Sequence, residues 1–501
     1  MIMVSFIFLA LVLPIFLLFL LRNHKTRTNI HLPPGPRGLP FIGNLHQVDN
    51  SSFYLYLWKL SQKYGPLMSL RIGFVPILVV SSAKIAKEIM KTHDLLFCGR
   101  PSTLSQQKLS YNGLDLAFAP YGSYWKEIRK ICVIHLFNSN RVRSFRPIRE
   151  SEVSHMLGKI SNSVVASKPV DLTEAVVSLT RIIICKVTFG QGYKEEGSEE
   201  STRFQALLRE FETLFASIFV SDYFPFMGFV DKFTGLIHRL EKNFQKFDNF
   251  YDKMIQEHLD SRRSKLHDHQ EDILDILLQI QNDPSLKVHV TFNHIKAMLM
   301  DIFSGGTNTI AAAVIWAMTF LMKNPIKMKK AQEEVRRIAG KKGFINEDEI
   351  QKLSYLKAVV KETMRLQPTI PIIPRETSQH CNLDGFQIPP KTVVHVNVWA
   401  IGRDPEVWEN PEEFCPERFI NKSIDLKGQN FEPIPFGAGR RMCPGMLMGL
   451  TTVELALANL LYTFDWELPI GMSNEDLDME VQPGLTVHKK NAIRLMARKY
   501  I

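Results

Sequence analysis

Phe436-Gly437-Ala438-Gly439-Arg440-Arg441-Met442-Cys443-Pro444-Gly445 places one cysteine on a glycine-rich loop that runs straight into an apolar segment, Met446 to Phe464. Core packing accounts for a buried cysteine, but it requires neither two glycines nor an arginine at these offsets. Gly437 and Gly439 permit tight turns and close approach of the backbone to a flat group. Phe436 can shield the sulfur, and Arg441 offers a forked donor to an anion. Pro444 suits the first turn of a helix, and Met446 to Phe464 has the length and composition of one. The free N–H groups and dipole at the start of that helix favour an anionic sulfur, so the stretch reads as a loop that presents a thiolate.

The pattern F-x-x-G-x-R-x-C-x-G resembles the cysteine loop of the cytochrome P450 family of haem-thiolate monooxygenases, with five specified positions in ten residues. The resemblance implies haem b, iron protoporphyrin IX, as cofactor, with Cys443 as ligand of its iron and Phe436, Arg441 and Gly445 beside it. In such a site the thiolate pushes electron density onto iron and favours O–O cleavage.

Other residues extend the resemblance. Trp125 and Arg129 stand four apart, on one face of a helix. Packing alone explains that spacing in an amphipathic helix; the resemblance makes both of them contacts of a haem propionate. Glu362 and Arg365 form an E-x-x-R pair, and Pro416-Glu417-Arg418-Phe419 supplies Arg418 as the second arginine of the family's ion-paired core. Buried ion clusters add little net stability, so the implied role is to fix the backbone around the sulfur loop. Pro374-Arg375, following Pro368 and Pro371, puts an arginine on a rigid stretch. By resemblance Arg375 is a further propionate contact, and a plain surface arginine is the alternative.

Gly305-Gly306-Thr307-Asn308-Thr309 matches the family's oxygen-activation motif with one departure. Asn308 stands where most members carry Asp or Glu, and an amide positions water but cannot ionise to relay protons. Thr309 keeps the hydroxyl that supports dioxygen. Thr309 and Asn308 are therefore the expected catalytic residues.

Ile2 to Leu21 is uncharged and apolar apart from Ser5 and Pro14, long enough to span a bilayer as a helix. A cleaved signal peptide fits less well, because the apolar region is too long and lacks a positive n-region and a small-residue cleavage site. Arg22, Lys25 and Arg27 follow, a bias that leaves the body in the cytosol. Pro33-Pro34-Gly35-Pro36-Arg37-Gly38-Leu39-Pro40 reads as a stiff extended connector. The expected organisation is a membrane anchor at 1–22, a basic, proline-rich hinge at 23–44 and one large catalytic domain at 45–501. Cys98, Cys132, Cys185, Cys381, Cys415 and Cys443 show no C-x-x-C pair and suit reduced thiols. Asn50 and Asn421 lie in N-x-S sequons that a cytosolic body would not expose to glycosylation. A net charge of +10 suits an acidic partner or an anionic membrane. No aromatic-interleaved basic stripe points to nucleic acid, and the run Arg141, Arg143, Arg146, Arg149 reads as a solvated face.

Branched residues predict strands over Leu67 to Ile72 and Ile77 to Val80 around Gly73, and a β-like segment over Val481 to His488. Periodic apolar faces predict helices over 83–92, 124–136, 204–219 and 233–259, with a surface loop from His258 leading into the next helix by Asp275. Thr291 is a candidate N-cap of one long helix to Lys323, which Asp301 and the polar residues 307–309 assign to the core rather than the bilayer. The expected fold is mainly α with small β-sheets, the cytochrome P450 fold in a single large domain behind an N-terminal transmembrane helix.

The chain is most similar to plant A-type microsomal members that oxidise specialised metabolites, close to the aldoxime-metabolising branch. That resemblance implies insertion of one oxygen atom from O2 into a small lipophilic metabolite, at the endoplasmic reticulum membrane. Electrons come from NADPH through NADPH-cytochrome P450 reductase, with cytochrome b5 as a second partner. Substrate contacts are implied at Pro101 to Ala119, Phe211 to Phe229, Met300 to Gly305, Ile370 to Ile373 and Leu485 to Val487. Two alternatives stay open: a reductase-independent isomerase or dehydratase, and a non-catalytic haem-binding protein.

Overall fold

Branched residues on either side of Gly73 fold back as β1 (Leu67–Ile72) and β2 (Val75–Val80) in the computed structural model. The structure describes residues 31–49, 52–190, 199–264, 271–420, 424–482 and 484–500. The expected anchor, its basic flank, Asn50 and Asn421 lie outside those residues. Gly73 turns the hairpin at φ +56°, and a Cβ there would meet the Tyr223 carbonyl oxygen at 2.5 Å, so both the turn and the contact require glycine. β2 runs parallel to β5 (Val393–Asn397), which pairs antiparallel with β4 (Ile372–Glu376), giving the order β1-β2-β5-β4. A second sheet has the order β3 (Val170–Asp171), β7 (Arg494–Lys499), β6 (Phe464–Glu467). The β-like C-terminal segment is a short ribbon, Val481–Gln482 against His488–Lys489.

Helices make up most of the remainder, so the body is mainly α with small sheets. α1 (Phe53–Tyr64), α2 (Ser123–Ile131), α3 (Arg146–Val165), α4 (Leu172–Phe189), α5 (Glu199–Ala216) and α6 (Leu236–Ser264) precede the central pair. The long helix expected from Thr291 is two helices, α7 (Phe292–Gly306) and α8 (Asn308–Lys323), parted at Thr307. The Thr307 hydroxyl donates back to the Phe303 carbonyl at 2.7 Å, and the two preceding glycines weaken the helix, which accounts for the break. α8 is apolar all round and packs on α4, α9 (Pro325–Ala339), α10 (Ser354–Leu366) and α11 (Met446–Thr463), so it forms the interior axis of the body. The α7/α8 span and α11 are long and apolar enough to cross a membrane, yet most of each is enclosed by the body.

Three further expectations change. Pro444 lies ahead of α11, whose N-cap is Gly445. His258 belongs to α6, and its ring meets Asp272 at 3.0 Å, because α6 runs on to Ser264 before the connection begins. The proline-rich connector is pinned to the body, with the Pro34 carbonyl accepting the Ser69 N–H at 2.9 Å and the Pro33 carbonyl accepting the Ser69 hydroxyl at 2.7 Å.

The basic run at 141–149 is only partly a solvated face. Arg143 is exposed, whereas Arg149 is buried, donating to Glu347 through Nε at 2.6 Å and Nη2 at 2.9 Å. A paired charge of this kind is costly to break because the remaining partner stays desolvated. Arg149→Ala should lower the thermal midpoint by ~3–6 °C, from a loss of ~3 kcal/mol, while Arg143→Ala leaves it unchanged. Equal midpoints for the two variants would show that the buried pair does not contribute.

Candidate active site

A cavity of about 1420 Å3 lies between the α7/α8 junction and the cysteine loop. Its wall includes Trp125, Arg129, Thr309, Phe436, Arg441, Cys443 and Gly445, so most of the residues singled out in the sequence converge on one space. Asn308 and Arg375 are not on that wall. Asn308 is one residue from Thr309, about 100° around the helix, and so points elsewhere.

The loop takes its shape from two glycines and one long-reaching bond. Gly437 and Gly439 have φ +69° and +70°, left-handed values that favour glycine. The Cys443 N–H donates to the Phe436 carbonyl at 3.0 Å, which closes the loop and turns the sulfur toward the cavity. Its apolar surroundings push the Cys443 thiol up; the N–H groups of Gly445 and Met446, at the start of α11, and the charge of Arg129 oppose that rise. Those same three features favour an anionic sulfur once a cation is near.

Opposite the loop, the Thr309 hydroxyl donates to the Gly305 carbonyl at 2.5 Å. Gly305 faces open space, whereas a Cβ on Gly306 would meet Ile184 of α4 at 2.8 Å. One glycine of the pair keeps the cavity open, and the other seats the helix.

Arginines surround the cavity on the side of α2. Arg441 is tied to the Cys98, Leu116 and Ala119 carbonyls at 3.0, 3.3 and 2.6 Å and lies 4.4 Å from the Trp125 ring centroid. The Trp125 indole N–H donates to the Leu116 carbonyl at 2.9 Å. Arg375 is buried and donates from Nη2 to the Ala438 carbonyl at 2.9 Å, while its Nε and Nη1 have no hydrogen-bond partner. Burial and the neighbouring guanidinium of Arg375 hold Arg441 at about 10, and burial with Arg375 and Arg441 lowers Arg100 well below its ordinary value. Such mutually repelling, partly unsatisfied donors suit a group with carboxylates of its own. A porphyrin with two propionates meets that requirement, and a cysteine on the same wall meets the need of its metal.

Arg100 escaped the sequence reading, which began the substrate-contact segment one residue later at Pro101. Its only local signal is the Arg100-Pro101 dipeptide after Phe97. Arg100 donates from Nε to the Ala117 carbonyl at 2.9 Å and reaches the Pro374 carbonyl through Nη1.

Behind the loop, Glu362 and Arg365 form a doubly bonded pair, 2.7 and 2.8 Å, with neither side chain exposed. Arg418 Nε joins Glu362 at 3.0 Å, as does the Cys415 N–H at 2.7 Å. Arg365 spends its remaining donors on the Gly402, Pro411 and Glu413 carbonyls.

Asp301, which the sequence offered only as an argument against a bilayer, lies on the cavity wall and accepts the Leu116 and Ala117 N–H groups at 2.7 and 3.2 Å. Burial pushes Asp301 up to about 6 against the help of those two donors, and burial together with Asp301 raises the adjacent Asp115 well above the carboxylate range. A carboxyl raised in the folded state adds stability below its unfolded value of 3.8 that is lost as pH rises through about 6. The thermal midpoint of the wild type should therefore fall relative to Asp301→Asn between pH 4 and pH 6 and run parallel to it above. A constant difference across that window would remove the carboxyl pair from the stability of this loop.

Comparison with known proteins follows the same line. Residues 33–496 match the family model for cytochrome P450. The chain is similar to 5-OH-xanthotoxin synthase of Pastinaca sativa, 50% identical over 99% of each chain. It is similar also to 6,7,8-trihydroxycoumarin synthase of the same plant, at 49% identity over 99% of each. Among solved structures, a zebra fish cytochrome P450 with abiraterone matches at a TM-score of 0.76 and 25% identity, covering 90% of this chain and 99% of its own. A sulfur-bearing loop, an ion-locked support behind it and a match that runs nearly the length of the body have one reading: the chain belongs to the cytochrome P450 family, as a monooxygenase of the kind plants use on specialised metabolites.

Proposed function

We propose that the protein inserts one oxygen atom from O2 into a flat aromatic metabolite of the coumarin class, the second oxygen leaving as water. NADPH-cytochrome P450 reductase supplies two electrons, with cytochrome b5 as an alternative donor for one. The observation that carries the reading is the single cavity onto which Cys443 and Thr309 both open.

Haem held through the Cys443 thiolate supplies the activation of dioxygen. Around it, Phe436 shields the sulfur, and the N–H groups of Gly445 and Met446 stabilise its negative charge. Trp125, Arg129 and Arg441, joined by Arg100, would hold the propionates from the cavity wall, and Arg375, just off that wall with Nε and Nη1 unpartnered, would complete the set. Glu362, Arg365 and Arg418 keep the segment behind the sulfur in one geometry. The Thr309 hydroxyl, which donates to the Gly305 carbonyl on the cavity wall, would turn to donate to dioxygen, and Asn308, off that wall at the helix break, would act one step back by positioning water without ionising. Apolar walls exclude bulk water from the reacting centre.

Two features favour the coumarin class. The rings of Phe118 and Phe215 stand 5.0 Å apart on the cavity wall and offer an aromatic surface to a flat ligand. Two half-identical relatives are named for xanthotoxin and trihydroxycoumarin products. Residues 1–22 anchor the chain in the endoplasmic reticulum membrane, with the body on the cytosolic side.

The reduced protein with carbon monoxide should give a difference band at about 450 nm that Cys443→His abolishes. A band that survives the substitution would sink the ligand assignment. Coumarin added to the oxidised protein should shift its main absorption band; no response to flat lactones would remove the substrate class. Turnover without NADPH and reductase would favour the isomerase reading instead. In Thr309→Ala a larger share of NADPH should end as peroxide, and unchanged product per NADPH would take Thr309 out of oxygen activation.

A further inference from the structure

The carboxylate of Asp94 lies at the meeting point of the two halves of the site and has no part in the roles given above. It is 4% exposed and begins the short helix Asp94–Phe97. Its Oδ2 accepts the Arg440 backbone N–H at 3.1 Å and Arg440 Nη1 at 3.0 Å, three residues before Cys443. Its Oδ1 is 3.9 Å from Arg375 Nη1. The cysteine loop is pressed against it: a Cβ on Gly439 would meet Asp94 Oδ1 at 2.8 Å and the Met90 carbonyl oxygen at 2.2 Å. Arg375, for its part, grips the same loop through the Ala438 carbonyl.

We infer that Asp94 is a positioning residue for the haem site, tethering the sulfur loop and Arg375 to each other through one buried carboxylate. The inference rests on the reading of Cys443 as the iron ligand. Two physical needs meet at this side chain. The Arg440 N–H has to be satisfied for residues 438–441 to keep the turn that aims Cys443 into the cavity. Arg375 is buried in a neighbourhood with Arg100 and Arg441, whose charges repel it, and Asp94 is the nearby carboxylate that holds it charged and in place. With the Arg440 N–H bonded at 3.1 Å and the Arg375 guanidinium attracted by charge alone at 3.9 Å, the same carboxylate faces both, and a displacement of the propionate side moves the sulfur side as well. Groups that orient a metal ligand are worth ~10–100-fold in retention of the metal, and Asp94 acts on Cys443 through Arg440, three residues before it.

The test uses full-length protein in membranes. Asp94→Asn keeps an oxygen acceptor for the Arg440 N–H and removes the charge beside Arg375; Asp94→Ala removes both. Transfer of haem to excess apomyoglobin should be faster by ~10-fold in Asp94→Asn, with the reduced carbon monoxide band still at its thiolate position. In Asp94→Ala the release should be faster again, and the band should move away from that position. Wild-type release rates and spectra in both variants would overturn the inference. If Asp94→Ala fails to accumulate, Asp94→Asn decides alone: faster haem loss supports the role and an unchanged rate overturns it. Failure of the underlying reading looks different, because wild-type protein then lacks the thiolate band or keeps it in Cys443→His.

Discussion

The Glu362 side chain is wholly buried, and the satisfaction of its carboxylate oxygens dictates the path of the chain toward the cysteine loop. Four hydrogen bonds meet that carboxylate, two from Arg365, one from Arg418 and one from the Cys415 N–H. Arg365 in turn spends its other N–H groups on carbonyls at 402, 411 and 413, so an irregular stretch without sheet or long helix is threaded onto one guanidinium. A Cβ on Gly402 would strike the Arg365 carbonyl oxygen at 2.3 Å, which shows how closely that stretch is drawn in. Apolar packing of equal area would stabilise as well, but it has no direction. Charge-assisted bonds with fixed angles select one backbone arrangement among many of similar compactness.

A second constraint works in the opposite sense. On the α2 side of the cavity three guanidiniums lie close together, and burial depresses Arg100, Arg375 and Arg441 while Arg375 repels the other two. An apoprotein has only its own carboxylates to offset that cost, so the cluster is a poor choice for stability and a sensible one for an anionic cofactor. Asp94, Asp115 and Asp301 limit the cost without cancelling it. Asp115 and Asp301 also crowd each other, which keeps that pair from delivering two full negative charges to the arginines.

Much of this was legible in the chain because the decisive signals are local. The cysteine loop, the E-x-x-R pair and the Trp125/Arg129 spacing each fit within ten residues, and the hairpin around Gly73 fits within fourteen. What stayed hidden depends on partners far along the chain. Arg149 looks like a surface charge until Glu347, 198 residues on, closes over it. Asp301 looks like a misplaced polar residue until Leu116 and Ala117 arrive to donate to it. Periodicity also runs unbroken through Thr307, since a side-chain bond to Phe303 interrupts the backbone without altering which faces are apolar.

That interruption bears on the departure at Asn308. Gly306 packs closely on Ile184, where a Cβ would meet the side-chain end at 2.8 Å, while the Gly305 carbonyl accepts the Thr309 hydroxyl across the break. The hydroxyl is thus held by one short bond on the cavity side, at the place where an intact helix would bury its carbonyl in the backbone ladder. Asn308 lies off the wall at the same break. An acid at this half-buried, disrupted turn would meet part of the burial that pushes Asp301 and Asp115 upward. A neutral amide avoids that desolvation and still offers both a donor and an acceptor to water. Asn308 therefore leaves this position without an ionisable group but with a hydrogen-bonding one, and the Thr309 hydroxyl meets the Gly305 carbonyl without it.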